Sequence, residues 1–176
     1  MEEVQAKRAS KDEYLRTAKD SPLPENERAS FAGLPYFPID PAFRIPASLR
    51  QDRSGPPVII TLETSAHGTE RMERVGTLMF SIGGVSYTLS AFAGAEGLAR
   101  LFVPFHDLTN RVETYGGGRY LNLDRTATGV YDLDFNAAYH PYCVYNKSYV
   151  CPIPPAENRL AVAIRAGERM PEPAAK

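Results

Sequence analysis

The stretch RVGTLMFSIGGVSYTLSA, residues 74–91, constrains the fold more than any other part of the chain. Apolar and polar residues alternate on both sides of Gly83 and Gly84, and Leu78 and Phe80 therefore share one strand face. Two glycines between two such runs predict a β-hairpin, because a type I′ turn needs positive φ at both central positions. The chain therefore contains antiparallel strands with one apolar face.

Other segments have the same period of two residues. Strands do not alternate with long helices along the sequence, which argues against a parallel sheet. Pro104 is expected to end its strand or to place that strand at the edge of a sheet. The predicted fold is all-β, an antiparallel barrel or sandwich of about seven or eight short strands with an N-terminal helical arm. The further strand candidates are PVIITLET (57–64), ARLFVPF (99–105), RYLNLD (119–124), GVYDLDF (129–135) and RLAVAIR (159–165).

The chain divides into three predicted parts: a helical arm over 1–35, a single β-rich domain over 36–169 and a flexible tail over 170–176. The first helix starts either near Glu2 or at the capping box that begins with Ser10, and prolines end it. A short second helix is expected at 25–31, and Gly33 is well placed just after its end.

Composition excludes several classes of function. The 176 residues carry a formal net charge of -1, without the basic excess of a nucleic-acid-binding surface. No apolar run approaches the roughly 20 residues of a membrane span, and the charged N-terminus lacks the apolar core of a signal peptide. We therefore expect a cytoplasmic protein with no membrane and no nucleic-acid partner. The sequence does not indicate an oligomeric state.

Polar residues crowd around three glycines in FHDLTNRVETYGGGRYLNLD, residues 105–124. Here Glu113 is a candidate general base, and Arg119 is a candidate anion clamp because guanidinium offers a planar fork of donors. Alternatively, the segment is only a glycine-rich turn in which these two residues pair with each other. It is not a phosphate-binding P-loop, because no Gly-Lys-Ser/Thr follows the glycines.

The segment YDLDFNAAYH, residues 131–140, places Asp132 and Asp134 on one strand face. Two carboxylates serve acid–base chemistry if one of them is desolvated, whereas on a solvated face they have no such role. Asn136 is the stronger candidate for an ordered role, because its amide both donates and accepts hydrogen bonds and tolerates turn geometry.

The two cysteines, Cys143 and Cys151, are separated by seven residues and follow His140. These three residues form a conceivable three-ligand zinc site, but the spacing is unusual for zinc and we predict no metal. A disulfide is disfavoured in a reducing compartment, and a reactive thiolate needs a neighbouring cation. The favoured interpretation is a pair of reduced thiols that pack as small hydrophobic groups.

The chain resembles the DUF1684 family of bacterial and archaeal proteins, whose function is unknown. The resemblance covers about residues 10–169 and rests on four long motifs in the order of the family. It implies no reaction, cofactor or partner, and Asn is usual in the family where this chain has His140. The motifs are SPLPENERASFAGLPYFPID, PFHDLTNRVETYGGGRYLNL, DLDFNAAYHPYCVYN and CPIPPAENRLAVAIRAGE. The signature residues that the resemblance implies are Glu113, Thr114, Tyr115, Gly118, Arg119, Tyr120, Asp134, Asn136, Cys143, Cys151, Pro152, Pro155, Glu157, Asn158 and Gly167.

Three functional hypotheses follow. The first is a small-molecule-binding barrel protein, in which a polar or anionic ligand enters a pocket near one end of the sheet. The second is an enzyme in that pocket, with Glu113 as general base and Arg119 as anion clamp. The third is a purely structural role, in which the signature residues lock the C-terminal loop onto the barrel. The predicted ligand-binding residues are Tyr115, Arg119, Tyr120, Asn136 and Asn158.

Overall fold

The computed structural model describes residues 2–52, 56–94 and 97–171, and the side chain of residue 98 is not described. These residues form two helices, α1 (Glu2–Thr17) and α2 (Glu25–Arg28), followed by seven strands. The strands are β1 (Arg44–Gln51), β2 (Val58–Glu63), β3 (Thr69–Ile82), β4 (Val85–Gly94), β5 (Gly97–Phe105), β6 (Arg119–Asp124) and β7 (Val130–Asp134).

Every strand pairing in the described part of the chain is antiparallel, and the strand order is β6-β5-β4-β3-β1-β7. The sheet curls until its two end strands approach each other, which gives a nearly closed barrel. β2 lies outside this order and pairs with the first half of β3, beyond the end of β1. The predicted all-β antiparallel class and the N-terminal helical arm are confirmed.

The predicted hairpin is β3–β4. Ile82 pairs with Val85 across the turn, and Gly83 and Gly84 have φ values of 56° and 82°. These are the left-handed conformations that a type I′ turn requires and that glycine adopts without a steric penalty. The local prediction is confirmed because all of its determinants lie within the hairpin itself.

Apolar side chains from the inward faces of the strands fill the barrel. Phe105 and Phe135 pack edge to face at its centre, with ring centroids 5.2 Å apart. Burial of aromatic and branched side chains of this size is the main driving force for folding. The principal members of this core are Ile45, Ala47, Leu78, Phe80, Leu89, Leu101, Val103, Phe105, Leu121, Leu133, Phe135, Leu160 and Ile164.

The structure differs from the predicted strands in three places. β1 was not predicted, because Pro46 interrupts its sequence pattern, although Ile45 and Ala47 point into the core. β5 continues through Pro104 and lies between β4 and β6, so the proline neither ends the strand nor marks an edge. The segment 159–165 forms no strand beyond one bridge to His106, although Leu160 and Ile164 are buried as the alternation indicated.

The arm lies on the outside of the barrel. α1 runs without a break from Glu2, so the capping box at Ser10 does not start it. Only Val4 and Leu15 of this helix are buried, and Arg8 donates to the backbone oxygens of Phe37 and Asn136. Within the described residues, no helix combines the length and apolar character needed to cross a membrane. The predicted flexible tail lies outside the described residues from 172 onward.

Candidate functional site

Arg119 stands at the start of β6 and points into one end of the barrel, on the same face as Leu121. Its side chain is fully buried and pairs with the equally buried Asp107, with Nη2 2.9 Å from Oδ2. Both Nη atoms also donate to backbone oxygens, at 2.5 Å to Ala166, 3.1 Å to Glu168 and 2.7 Å to Ile164. The Nε atom is buried without a partner among the described residues. Protein acceptors therefore occupy the fork of donors that was predicted to hold an anion.

These contacts explain why the C-terminal segment is not a strand. The three acceptor carbonyls lie at alternate positions, 164, 166 and 168, and all three accept from the Nη atoms of Arg119. Gly167, between the last two, has a φ of 79°, so the segment is not a continuous extended strand. In a sheet such carbonyls accept from a neighbouring strand, whereas here one guanidinium takes that role. Buried carbonyls need a partner, and Arg119 therefore attaches the last segment to the barrel.

Asp107 organises the loop that leads from β5 to Arg119. Its Oδ1 accepts hydrogen bonds from Thr109, through both N and Oγ1, and from the backbone N–H of Ile164. Of the three consecutive glycines at 116–118, only Gly118 has a positive φ, at 89°. A Cβ there would lie 2.7 Å from the Phe105 oxygen, so the chain needs glycine to return this closely to β5.

Asn158 compensates for the proline in β5. Because Pro104 has no N–H, it cannot complete a ladder with β4. The buried Asn158 amide lies between the strands instead: Oδ1 accepts from the Ser90 N–H at 2.7 Å, and Nδ2 donates to the oxygens of Ser90 and Pro104 at 2.9 and 2.7 Å. An amide side chain therefore replaces the missing backbone donor, which is why β5 continues through the proline.

Asn136 connects the arm segment to β7. Its amide accepts from the Asp40 N–H and donates to the Asp40 oxygen, each at 2.9 Å, and it also donates to the Asp134 carboxylate. The other predicted carboxylate, Asp132, pairs with exposed Arg44 on the outer surface. The two carboxylates therefore have separate partners, one in a turn and one on the surface.

Glu113 forms two 3.0 Å hydrogen bonds with Arg165, and it keeps about a third of its side chain exposed. The glycine-turn alternative suggested a pair between Glu113 and Arg119. In the structure, Glu113 pairs with Arg165 and Arg119 pairs with Asp107. Tyr115 is partly buried, and the Cys143 thiol lies 4.0 Å from its hydroxyl. Neither Glu113 nor Tyr115 lines either of the two cavities described below.

His140 and Glu168 form a buried polar contact beside Arg119. The backbone N–H of Tyr115 donates to His140 Nε2, so the neutral ring carries its proton on Nδ1, which faces Glu168 at 3.7 Å. Burial, reinforced by the charges of Arg119 and Lys11, lowers the pKa of His140 to about 3. The Glu168 carboxylate does not reverse this effect, because Lys11 and the Tyr145 hydroxyl already engage it.

This pKa predicts a pH dependence of stability. The unfolded chain binds a proton on His140 near pH 6.5, while the folded protein resists it down to about pH 3. The stability that the neutral ring contributes is therefore fully present above about pH 6.5. Below that pH, the free energy of unfolding falls by about 1.4 kcal/mol per pH unit. We expect the free energy of unfolding of the wild type, measured with urea, to fall by about 2 kcal/mol relative to His140→Asn between pH 7 and pH 5. The exposed His67→Asn change is the control, and parallel profiles for wild type and His140→Asn would contradict the assignment.

A cleft of about 770 Å³ lies on the outer face of the sheet, on the side opposite to the barrel core. Outward residues of β5 and β6 form its floor, where the rings of Phe102 and Tyr120 meet edge to face with centroids 4.7 Å apart. The first half of β3 and the loop 139–152 form its walls. The residues that define this outer cleft are Lys11, Glu70, Arg71, Met72, Glu73, Ala93, Gly94, Arg100, Phe102, Tyr120, Asn122, Tyr139, Pro141, Tyr142, Tyr149, Val150, Cys151 and Pro152.

Several polar groups of the outer cleft lie around Tyr139. Asn122 Nδ2 donates to the Tyr139 hydroxyl at 2.8 Å, and Lys11 Nζ lies 4.9 Å from the centre of the ring. Burial raises the pKa of the Tyr139 phenol, against the hydrogen bond from Asn122 and the nearby Arg100 charge. Lys11 is paired with Glu168 and Arg100 with Asp124, so both cations are partly neutralised. The cleft thus combines aromatic walls with a polar end around Tyr139, and Glu70, Arg71 and Glu73 of β3 add further charges to its lining.

A second cavity of about 140 Å³ separates α1 from the barrel and includes Arg8, Tyr36 and Asn136 in its lining. It is too small for most organic ligands, which occupy pockets of roughly 300–1,000 Å³. Across the described residues, no group of three or more His, Cys, Asp or Glu side chains is arranged to hold a metal ion. The zinc alternative would also compete with the Tyr115 N–H for His140 Nε2.

The structure separates the predicted ligand-binding residues. Arg119 and Tyr120 are adjacent in a strand and therefore point to opposite faces of the sheet. Only Tyr120 lines the outer cleft, where its hydroxyl donates to the Pro152 oxygen, while Asn136 and Asn158 hold backbone elsewhere. The sequence analysis missed Phe102 and Asn122, although strand alternation places both on the outer face together with Tyr120. It also missed Asp107 as the partner of Arg119, because nothing local identifies a contact across twelve residues.

The molecule is thus a nearly closed antiparallel barrel with a filled interior, a buried Arg119–Asp107 pair at one end and an aromatic cleft on its outer face. Residues 29–169 match the family model DUF1684, which is described as a protein of unknown function. The chain belongs to the DUF1684 family. It is similar to an uncharacterized protein from Haloarcula marismortui solved by solution NMR, with 40% identity over 96% of this chain and 93% of that one, and a TM-score of 0.74. No curated protein matches the chain.

Proposed function

We propose that this protein binds a small organic molecule in the outer cleft. The ligand has a flat or apolar part that lies on Phe102 and Tyr120 and a polar or anionic end that lies near Tyr139. The observation that carries the proposal is a cleft of about 770 Å³ with five aromatic residues in its lining, Phe102, Tyr120, Tyr139, Tyr142 and Tyr149. Pockets of this size with a few polar groups at one end are typical of small-molecule sites.

The polar end determines the class of ligand. Lys11 has three ammonium donors, and Glu168 accepts from it in the described structure. Arg100 adds a second positive charge near Tyr139. Asn122 and the Tyr139 hydroxyl add neutral hydrogen-bonding groups beside them. A carboxylate, a sulfonate or a polar carbonyl fits this end, and an aromatic or aliphatic body fits the rings. Glu70, which lies near Tyr120, disfavours a second negative charge at the other end of the cleft.

In this proposal, Arg119, Asn136 and Asn158 are positioning residues that hold the C-terminal segment and the arm against the barrel. The structural hypothesis from the sequence therefore applies to these three residues, and the binding hypothesis applies to the cleft that contains Tyr120. The enzyme hypothesis, with Glu113 as general base and Arg119 as anion clamp, stays a prediction.

The proposal is tested with 8-anilinonaphthalene-1-sulfonate, a flat aromatic anion that fluoresces when it binds apolar surfaces. We expect saturable fluorescence with the folded wild type. Met72→Trp places a large ring in the cleft and should weaken binding of the dye at least about tenfold, or about 1.4 kcal/mol. The matched control is Met79→Trp on the same strand, because Met79 is 41% exposed and lies outside the cleft.

Equal binding by the two variants would place the dye outside the cleft, and no saturable binding to the wild type would contradict the proposal. Native mass spectrometry of freshly purified protein supplies the second measurement. A molecule that co-purifies with the wild type and with Met79→Trp, but not with Met72→Trp, would identify the natural ligand.

A further inference from the structure

The two cysteines of the chain pack in one apolar cluster at the side of the outer cleft, together with Phe102 and Tyr120. Cys151 lines the cleft and is 8% exposed, whereas Cys143 is half-buried and packs in the same apolar cluster. Both are free thiols, and the chain contains no other cysteine. Two free thiols in one apolar cluster can exchange with a disulfide, which ordinary apolar side chains cannot do.

The backbone holds both cysteines in place. The Cys151 N–H donates to Ser65 Oγ, and the Cys151 oxygen accepts from the Ser65 N–H at 2.9 Å, which attaches this residue to the end of β2. Cys143 is the middle residue of a 3-10 turn at Tyr142–Val144. The two side chains pack in the same cluster, and the Cys151 thiol interacts with both the backbone and the side chain of Cys143.

We propose that Cys143 and Cys151 form a reversible dithiol–disulfide pair that is oxidised by small disulfides. The more exposed Cys143 thiolate attacks one sulfur of the small disulfide and displaces a small thiolate, leaving a mixed disulfide on Cys143. Cys151 then loses its proton to solvent and attacks the Cys143 sulfur, which displaces the second small thiolate. In total, two protein thiols become one disulfide, and one small disulfide becomes two thiols.

The reaction is expected to be slow. Burial raises the pKa of Cys151 to about 11, so little of its thiolate is present at neutral pH. The two thiols are reduced in the structure, and their exchange with disulfides is expected to be slow. These properties suit a sensor of the redox state better than a catalytic oxidoreductase. The new bond would close a ring around residues 144–150, and this ring includes Tyr149 and Val150 of the cleft wall. Oxidation would therefore restrict the movement of one side of the cleft.

The test uses the full-length reduced protein, oxidised glutathione at about pH 8 and intact-mass analysis. We expect the wild type to lose about 2 Da, to become resistant to iodoacetamide at both cysteines and to recover both thiols with dithiothreitol. Cys151→Ser should stop at one bound glutathione, because the second attack is impossible. Cys143→Ser should react at least about tenfold more slowly than Cys151→Ser, because only the buried thiol remains.

Other outcomes overturn the proposal. These are a lasting mixed disulfide on the wild type, a disulfide between two chains, or native cysteines that stay unreactive while both react in urea. The measurement is independent of the ligand, because it reads covalent mass. A positive result here with a negative dye result would therefore leave the dithiol pair in place and remove only the binding proposal.

Discussion

Arg119→Met should lower the free energy of unfolding by about 3–5 kcal/mol, the largest effect we expect from a single substitution that preserves side-chain volume. The change leaves the fully buried Asp107 carboxylate without its cation. It also leaves the carbonyls at 164, 166 and 168 without a donor. For a chain of this length, the loss corresponds to a Tm lower by roughly 10 °C in calorimetry.

Two further variants test whether the loss of stability comes from the buried Arg119–Asp107 pair. Arg165→Met removes an exposed cation that pairs with Glu113 and should change the Tm little, because solvent screens such pairs. Adding Asp107→Asn to Arg119→Met should restore part of the lost stability, because it removes the unpaired charge and keeps the acceptor for Thr109. A stable Arg119→Met protein that no longer binds the dye would instead favour the anion-clamp hypothesis.

Asn158→Leu should lower the free energy of unfolding by about 2–4 kcal/mol with almost no change in volume. The substitution leaves the N–H and C=O of Ser90 and the C=O of Pro104 buried without partners. Unpaired buried backbone groups cost about 1–3 kcal/mol each, and partial relaxation of the strands limits the total. Urea unfolding measures the loss.

Hydrogen exchange adds a local measurement for this substitution. The Ser90 amide should lose its protection in Asn158→Leu, because it donates to the Asn158 side chain at 2.7 Å. Asn122→Leu is the control, since Asn122 is exposed and bonds only to the Tyr139 hydroxyl. Unchanged protection of Ser90 would contradict the bridging role of Asn158.

Local patterns predicted most of the sheet. The β3–β4 hairpin follows from Gly83 and Gly84 and from the alternation around them, and the faces of β4 and β6 follow from period two alone. The sequence did not predict β1 because Pro46 interrupts the pattern. Its strand conformation depends on pairing with β3 and β7, which are far away in the chain.

The candidate site was much less predictable. The resemblance selected Arg119 and Asn158 as signature residues, but it did not say whether their polar groups face a ligand or the protein. Burial and partners decide this question: both side chains are buried, the two Nη atoms of Arg119 donate to carboxylate and backbone oxygens, and the Asn158 amide bonds only to backbone in the described structure. The outer cleft contains residues from α1, β3, β5, β6 and the loop 139–152, so no single motif identifies it.

The sequence by itself determined the antiparallel all-β class, the hairpin, the helical arm and the family, because periodicity, turn residues and motifs act over short distances. Only the tertiary structure decided that 159–165 is not a strand and that β5 passes through Pro104. The physical reason is the same in each case. A buried backbone group must find a partner, and here those partners are side chains, Arg119 and Asn158, that come from distant parts of the chain.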